Sequence, residues 1–370
     1  MPYGAENAFR RSPSGRVIAE ALGVWLLSRL GVALLAAGGA WFLNLGRDTG
    51  HLERWMRWDA VHFVTIARDG YADPADPGLP AFFPGLPLAL RAVHTVVGDW
   101  TAAGLLISLV AGAVAVCALA LLAEREGPPG SGRRAVTALL LAPPAVFLFA
   151  GYTEALFLAF ALPAWLLARQ GRWAAAAGCA AGASCVRVTG LFLAVALVVE
   201  FGLAWRRGEA RVRSGGWLVV PFLPLAGYSL YQWTRTGDWL AWQTAQRLGW
   251  GRELVWPWEA WRTSWAGAWD VDNAFTWAFR GELAAAVLGV ALTCWLARRR
   301  DWGAFAYVGL QVAALVTSTF YMSIPRAALL WFPLWLLLAR DRRRLVVYAW
   351  VAGPLMALHV LVFTNHLWAG

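Results

Sequence analysis

Asp59 and His62 stand three residues apart in RWDAVHFVTIARDGY, residues 57 to 71, among Trp58, Phe63, Ile66 and Tyr71. Read as a helix, Asp59, His62 and Ile66 follow a three-and-four spacing and share one face. A carboxylate beside an imidazole can take a proton from a hydroxyl, and general-base help of this kind is worth about 10²–10⁴-fold. An aspartate beside apolar bulk is also expensive, about 2.5–3.5 kcal/mol at mid-bilayer and less at its surface. Either Asp59 is functional, or it caps its helix or pairs with Arg57 on a wet surface.

Four other stretches hold residues of the same kind. GYTEALF places Glu154 in the first turn of a helix, where it could bind a ligand or only favour the helix N-terminus. CVRVTG carries Arg187 between two apolar runs, and SIPRAALLWFP carries Arg326 at a helix start. A cation is unfavourable to the helix dipole at that end, so something must hold it. A guanidinium can grip two phosphate oxygens at once; the alternative is a salt bridge to a carboxylate such as Glu154 or Asp270. TNHLWAG ends the sequence with His366 and Trp368.

The elements that position these residues follow from composition. The 370 residues are 59% hydrophobic and 15% charged, with 25 Trp, where a soluble domain carries about a quarter charged residues. A bilayer-crossing helix needs about 20 apolar residues. Runs near that length fall at 17–43, 101–123, 135–150, 153–168, 173–185, 187–204, 217–234, 283–297, 302–319, 325–339 and 345–364. The reading is a polytopic all-α membrane protein with about eleven transmembrane helices, forming one intramembrane unit. The first apolar run is too long for a signal peptide and is read as the first membrane helix.

The net charge of +10 comes entirely from arginine, since the chain has no lysine. Arg10, Arg11 and Arg16, Arg125, Arg133 and Arg134, Arg169 and Arg172, Arg206, Arg207, Arg211 and Arg213, Arg298 to Arg300, and Arg340 and Arg342 to Arg344 cluster in gaps between apolar runs. That pattern marks cytoplasmic loops and argues against nucleic-acid binding. The remaining gaps, chiefly 44–80 and 235–282, are read as arginine-poor and extracytoplasmic, so Arg187 and Arg326 are not explained by charge topology. Residues 81–98, with Arg91 and His94 on one face, are read as an interfacial or re-entrant helix on that side. The Trp-rich segment 235–282 suits a headgroup belt or a saccharide groove. Cys117, Cys179, Cys185 and Cys294 form neither a disulfide framework nor a paired metal spacing. No Walker A loop, Rossmann glycine fingerprint or HExxH is present.

Taken in order, RWDAVHFVTIARDGY, AFFPGLPL, GYTEALF, VRVTG, SIPRAALLWFP and HLWAG resemble the PIG-V family, whose eukaryotic members add the second mannose in GPI-anchor synthesis and which has bacterial relatives. The resemblance spans most of the chain from Trp58 onward. It implies a GT-C glycosyltransferase fold in a bacterial plasma membrane, with the active site on the extracytoplasmic face and interfacial helices in the first outer loop (44–98). The implied donor is polyprenyl-phosphate mannose. The acceptor is a glycolipid, a glycan or a protein. By motif match Asp59 is the general base, with Arg54 and Arg57 as nearby cations, and Arg187 and Arg326 bind the donor phosphate. Trp58, His62, Tyr71, Tyr152, Glu154 and His366 are the substrate-binding candidates, His62 orienting Asp59 or holding acceptor hydroxyls. No metal ligand is assigned, although Glu154 could take a divalent ion. Where such families carry an aromatic after Pro-Arg, this chain has Ala327. Another polyprenyl-linked sugar as donor, or a lipid flippase without chemistry, are the rival readings. The charges gather at one rim rather than deep in the helices, and no repeat is evident; both favour an enzyme over a transporter.

Overall fold

The computed structural model describes residues 14–42, 50–71, 76–271, 275–365 and 367. The protein is 81% helix, and no strand forms among the described residues. Helix α1 (Ser14–Phe42) is followed by two short helices, α2 (Asp59–Asp69) and α3 (Gly85–Val97). The long α4 (Trp100–Glu126) turns into α5 (Ser131–Leu140), then α6 (Thr153–Arg169), α7 (Trp173–Val186) and α8 (Thr189–Arg206). Helices α9 (Leu223–Thr236), α10 (Ala241–Trp250) and α11 (Pro257–Trp269) lead to α12 (Thr276–Arg298) and α13 (Trp302–Val316). A single turn, α14 (Ile324–Ala327), precedes α15 (Phe332–Ala339) and α16 (Arg342–Thr364).

Five of these, α1, α4, α8, α12 and α16, are long and apolar enough to cross a bilayer. Every apolar run expected from the sequence is helical, but three are broken. Pro143 and Pro144 end the run after α5 in a 3₁₀ stretch, Pro143–Leu148. Pro221 and Pro224 divide the next into a 3₁₀ stretch, Val212–Phe222, and α9. Pro325 and Pro333 split the third into α14, a 3₁₀ turn and α15. The cause is common: proline has no N–H to give the helix, and its ring clashes with the preceding turn.

Small residues let the central helices approach. Helix α7 buries Ala176, Ala177, Ala180 and Ala183 and packs between α6 and α8. With no water to expel between helices in lipid, such close backbone packing carries the association. Around this centre lie Trp165, Phe147, Trp331 and Phe332, all buried.

A smaller apolar cluster fixes α2. Phe63, Ile66, Leu79, Leu86, Leu90 and Ile107 are buried together, joining α2 and α3 to α4. Within residues 81–98 the helix is Gly85–Val97, with Arg91 Nε donating to the Ala67 carbonyl at 2.7 Å and the His94 ring stacked on Trp100. The start of α3 meets the end of α7 at Gly85. A Cβ there would sit 2.8 Å from both the Cys185 carbonyl oxygen and Val186 Cα. Gly85→Ala is expected to cost about 1–3 kcal/mol through overpacking and to displace the turn that follows α7. A fall in the thermal midpoint of detergent-solubilised protein checks this.

Candidate active site

Asp59 is the first residue of α2, and the chain enters the helix through Trp58 at φ +49° and ψ −121°. A bulky L-residue rarely occupies that region, and holding it there costs about 1–3 kcal/mol. Tyr152 helps impose it: its hydroxyl donates to the Arg57 carbonyl at 2.7 Å. The strain can be isolated by comparing two substitutions. Trp58→Gly relieves the backbone and Trp58→Ala does not, so the glycine variant should be more stable by about 1 kcal/mol or more. Equal unfolding midpoints would remove the strain argument.

Glu154, in the first turn of α6, is fully buried. Its Oε1 accepts from Arg187 Nη1 and from Arg326 Nε, each at 2.6 Å. Arg187 Nη1 also donates to Thr153 Oγ1, and Arg326 Nη1 donates to Asp59 Oδ2. The Arg326 guanidinium lies over the rings of Tyr152 and Phe147, 4.6 and 4.9 Å from their centroids. Two carboxylates and two guanidiniums from α2, α6, the α7–α8 turn and α14 therefore form one chain of charge-assisted hydrogen bonds. Such bonds are short and about twice as strong as neutral ones. The cation that the start of α14 disfavours is held by Glu154 and Asp59.

Helix α14 is itself clamped. Ser323 turns at φ +63°, and the N–H groups of Ser323 and Ile324 donate to the two oxygens of the buried Glu282 at 2.6 and 2.7 Å. Nearby, residues 253–255 pair with 317–319: Val255 N donates to the Thr317 carbonyl at 2.8 Å and Thr319 N to the Glu253 carbonyl at 3.1 Å. This pairing brings Arg252, from the Trp-rich segment, to the same cavity, where its Nη2 donates to the Met322 carbonyl at 2.9 Å. Burial pulls the Arg252 guanidinium below its ordinary pKa, against the opposing pull of Glu282 and Asp59.

The cavity measures about 570 Å³. Asp59, Arg187, Arg326 and Arg252 line its charged part, Trp58, His62, Trp242 and Trp250 an aromatic part, and the facing ends of α8 and α13 an apolar part. Its Asp59 carboxylate is a quarter exposed. Such a site can accept a proton from a bound hydroxyl and offer guanidinium to an anion beside it.

Several expectations are corrected. His62 lines the cavity, but its Nδ1 pairs with Asp76 Oδ2 at 2.7 Å and its ring stacks on Phe82, so Asp76 rather than Asp59 is its partner. Tyr71 is spent on structure: its hydroxyl donates to the Phe82 carbonyl and its ring packs on Tyr228 and Tyr231. Tyr152 is buried beneath Arg326, its ring under the guanidinium. Arg326, expected only on the donor phosphate, is itself paired with Asp59. The salt-bridge partner of Arg187 and Arg326 is Glu154, not Asp270. His366 lies outside the described residues. Among the described residues, no group of three or more His, Cys, Asp or Glu side chains is placed to hold a metal. Arg252 and Glu282 went unnoticed in the sequence. The span 235–282 in fact holds five arginines, Arg235, Arg247, Arg252, Arg262 and Arg280, so its description as arginine-poor is wrong, and nothing local sets Arg252 apart. No protein-family model matches the chain, and no match was found among the curated proteins.

Proposed function

We propose that the protein is an inverting glycosyltransferase of the GT-C type that moves mannose from polyprenyl-phosphate mannose to an acceptor hydroxyl. One observation carries the reading: Asp59, Glu154, Arg187 and Arg326, distant in sequence, meet at the wall of a cavity that also has an apolar side. The acceptor oxygen forms its bond to the anomeric carbon as the carbon–phosphate-oxygen bond breaks. Asp59 takes the hydroxyl proton, and the departing phosphate keeps the electron pair. Guanidinium groups placed beforehand at that developing charge lower the barrier without reorganising. Arg187 and Arg326 supply this field. Glu154, fully buried, aims them and is kept from the substrate.

The membrane setting belongs to the same proposal. The five long helices and the shorter apolar ones together make about eleven spans, with α2 and α3 lying at the first extracytoplasmic segment of a bacterial plasma membrane. The arginine clusters at 125–134, 206–213, 298–300 and 340–344 then face the cytoplasm. The acceptor is a glycolipid, a glycan or a protein.

The deciding experiment incubates the purified protein with radiolabelled polyprenyl-phosphate mannose and membrane extract, and identifies the labelled product. Transfer of label supports the reading. Transfer only from arabinose- or glucose-bearing donors in a parallel panel would replace mannose, and movement of intact donor across vesicles without transfer would replace the enzyme by a transporter.

A further inference from the structure

Buried polar atoms almost always have a partner; roughly nine in ten or more do. On this cavity five do not. Arg252 Nε, Ser318 Oγ, Thr189 Oγ1, Gln311 Oε1 and Trp242 Nε1 are each buried without a hydrogen-bond partner, and all five residues line the same space. Groups left this way on a cavity wall are complementary to something that enters it.

They differ in what else they do. Thr189 begins α8 and Gln311 lies on α13. Arg252 and Ser318 sit together, because Leu254 and Ser318 face each other across the short pairing of 253–255 with 317–319. The pairing places both residues, and Arg252 adds one side-chain bond, from Nη2 to the Met322 carbonyl, which leaves its Nε free. Arg187 and Arg326 have already given hydrogen bonds to Glu154, and Arg326 a second to Asp59. Glu282, the carboxylate facing Arg252, is occupied by the N–H groups of Ser323 and Ile324. The neighbouring Glu253 carboxylate is exposed, and Arg252 makes no ion pair within 4 Å among the described residues. A guanidinium with a free N–H beside a free hydroxyl suits the oxygens of a phosphate.

The apolar side of the cavity adds the second half. Leu191 and Phe192, at the start of α8, and Ala314 and Leu315, at the end of α13, line it. Helices α8 and α13 pack on each other, and the neighbouring α8 is among the helices able to cross a bilayer. A phosphate anchored at Arg252 has this wall beside it for an attached hydrocarbon chain.

We propose that Arg252 and Ser318 hold the phosphate of a lipid monophosphate or monophosphodiester whose chain lies along Leu191, Phe192, Ala314 and Leu315. This rests on the transferase reading for its biological meaning, but its chemistry does not require sugar transfer. Arg187 and Arg326 then act on the charge that develops as the phosphate departs and on Asp59, and Arg252 recognises the ligand.

The test is binding of farnesyl phosphate against farnesol to full-length protein in detergent, followed by tryptophan fluorescence; Trp242 and Trp250 line the cavity. The wild type should prefer the phosphate. Arg252→Gln should weaken farnesyl phosphate by about tenfold or more, in line with loss of a hydrogen bond to a charged group, and leave farnesol unchanged. Arg252→Lys should recover part of the loss. Ser318→Ala removes an oxygen with no partner in the fold, so it tests the site even where Arg252→Gln fails to fold; it should weaken farnesyl phosphate several-fold. Leu191→Trp should weaken both ligands together. Wild-type affinity for farnesyl phosphate in Ser318→Ala and in folded Arg252→Gln or Arg252→Lys protein overturns the phosphate site, and unchanged binding in Leu191→Trp overturns the chain path. A protein that transfers no mannose yet loses farnesyl phosphate on these substitutions refutes the transferase reading and leaves this one standing. Transfer activity with unaltered lipid-phosphate binding does the reverse.

Discussion

Asp59→Asn should lower kcat by about 10²–10⁴-fold, the range for a removed general base, while donor binding stays near wild type. The substitution suits the question because asparagine keeps the shape of the side chain and an acceptor oxygen for Arg326 Nη1. Arg326 stays anchored through Glu154, so the cavity keeps its form. What is lost is the ability to take a proton. Asp59→Glu adds a separate control: it keeps the carboxylate but extends it by one methylene. A displacement of about 1 Å from productive geometry can cost about 10²-fold, so the glutamate variant should also be slow, and it should still show transfer above the asparagine variant. Near-normal turnover in Asp59→Asn would sink the base assignment outright. Equal residual rates in the two variants would point to positioning by Arg326 instead of proton transfer.

The sequence was most legible where a local rule dominated. Periodicity placed Asp59 and His62 on one face of a helix, and α2 runs from Asp59 to Asp69. The dipole argument required a partner for Arg326, and two carboxylates supply it. Proline positions decide where three of the apolar runs break. An apolar run shows in composition alone, whereas the break depends on the cost of a missing N–H weighed against hydrophobicity.

Partner choice was much less legible. Spacing places His62 beside Asp59 along the helix but does not say which carboxylate its ring nitrogen meets; Asp76, in the following loop, wins. Tyr71 and Tyr152 sit in chemistry-bearing motifs, yet both hydroxyls serve backbone carbonyls. Each has a buried donor that must find an acceptor, and a carbonyl of an irregular segment was nearest. Arg252 and Glu282 depend on pairings across about 40 to 70 residues that carry no periodic signal. A short antiparallel pairing inside a helical protein is set by tertiary context alone.

Removal of Glu154 should produce the largest loss of stability of any single change at the site. Glu154 is fully buried and its Oε1 serves both Arg187 and Arg326. Glu154→Ala leaves two guanidiniums facing a low-dielectric interior with one partner gone from each. Breaking a buried pair in this way costs about 3–5 kcal/mol, mostly as the penalty of the charge left behind. Glu154→Gln should cost less, since it keeps an acceptor oxygen, but it should still lower turnover because Arg326 loses charge compensation and shifts on Asp59. The double variant Glu154→Leu with Arg326→Met separates pair from charge. It should recover stability relative to Glu154→Ala, because Arg326, the most buried of the cluster's cations, is gone; Arg187, with Thr153 as its remaining partner, stays. It should have no transfer activity, since Asp59 then has no cation to hold it. Denaturant unfolding in detergent reads the first effect and the transfer assay the second. If Glu154→Ala unfolds like wild type, Glu154 does not hold the site together, and Arg326 is positioned by Asp59 and by its stacking on Tyr152 and Phe147.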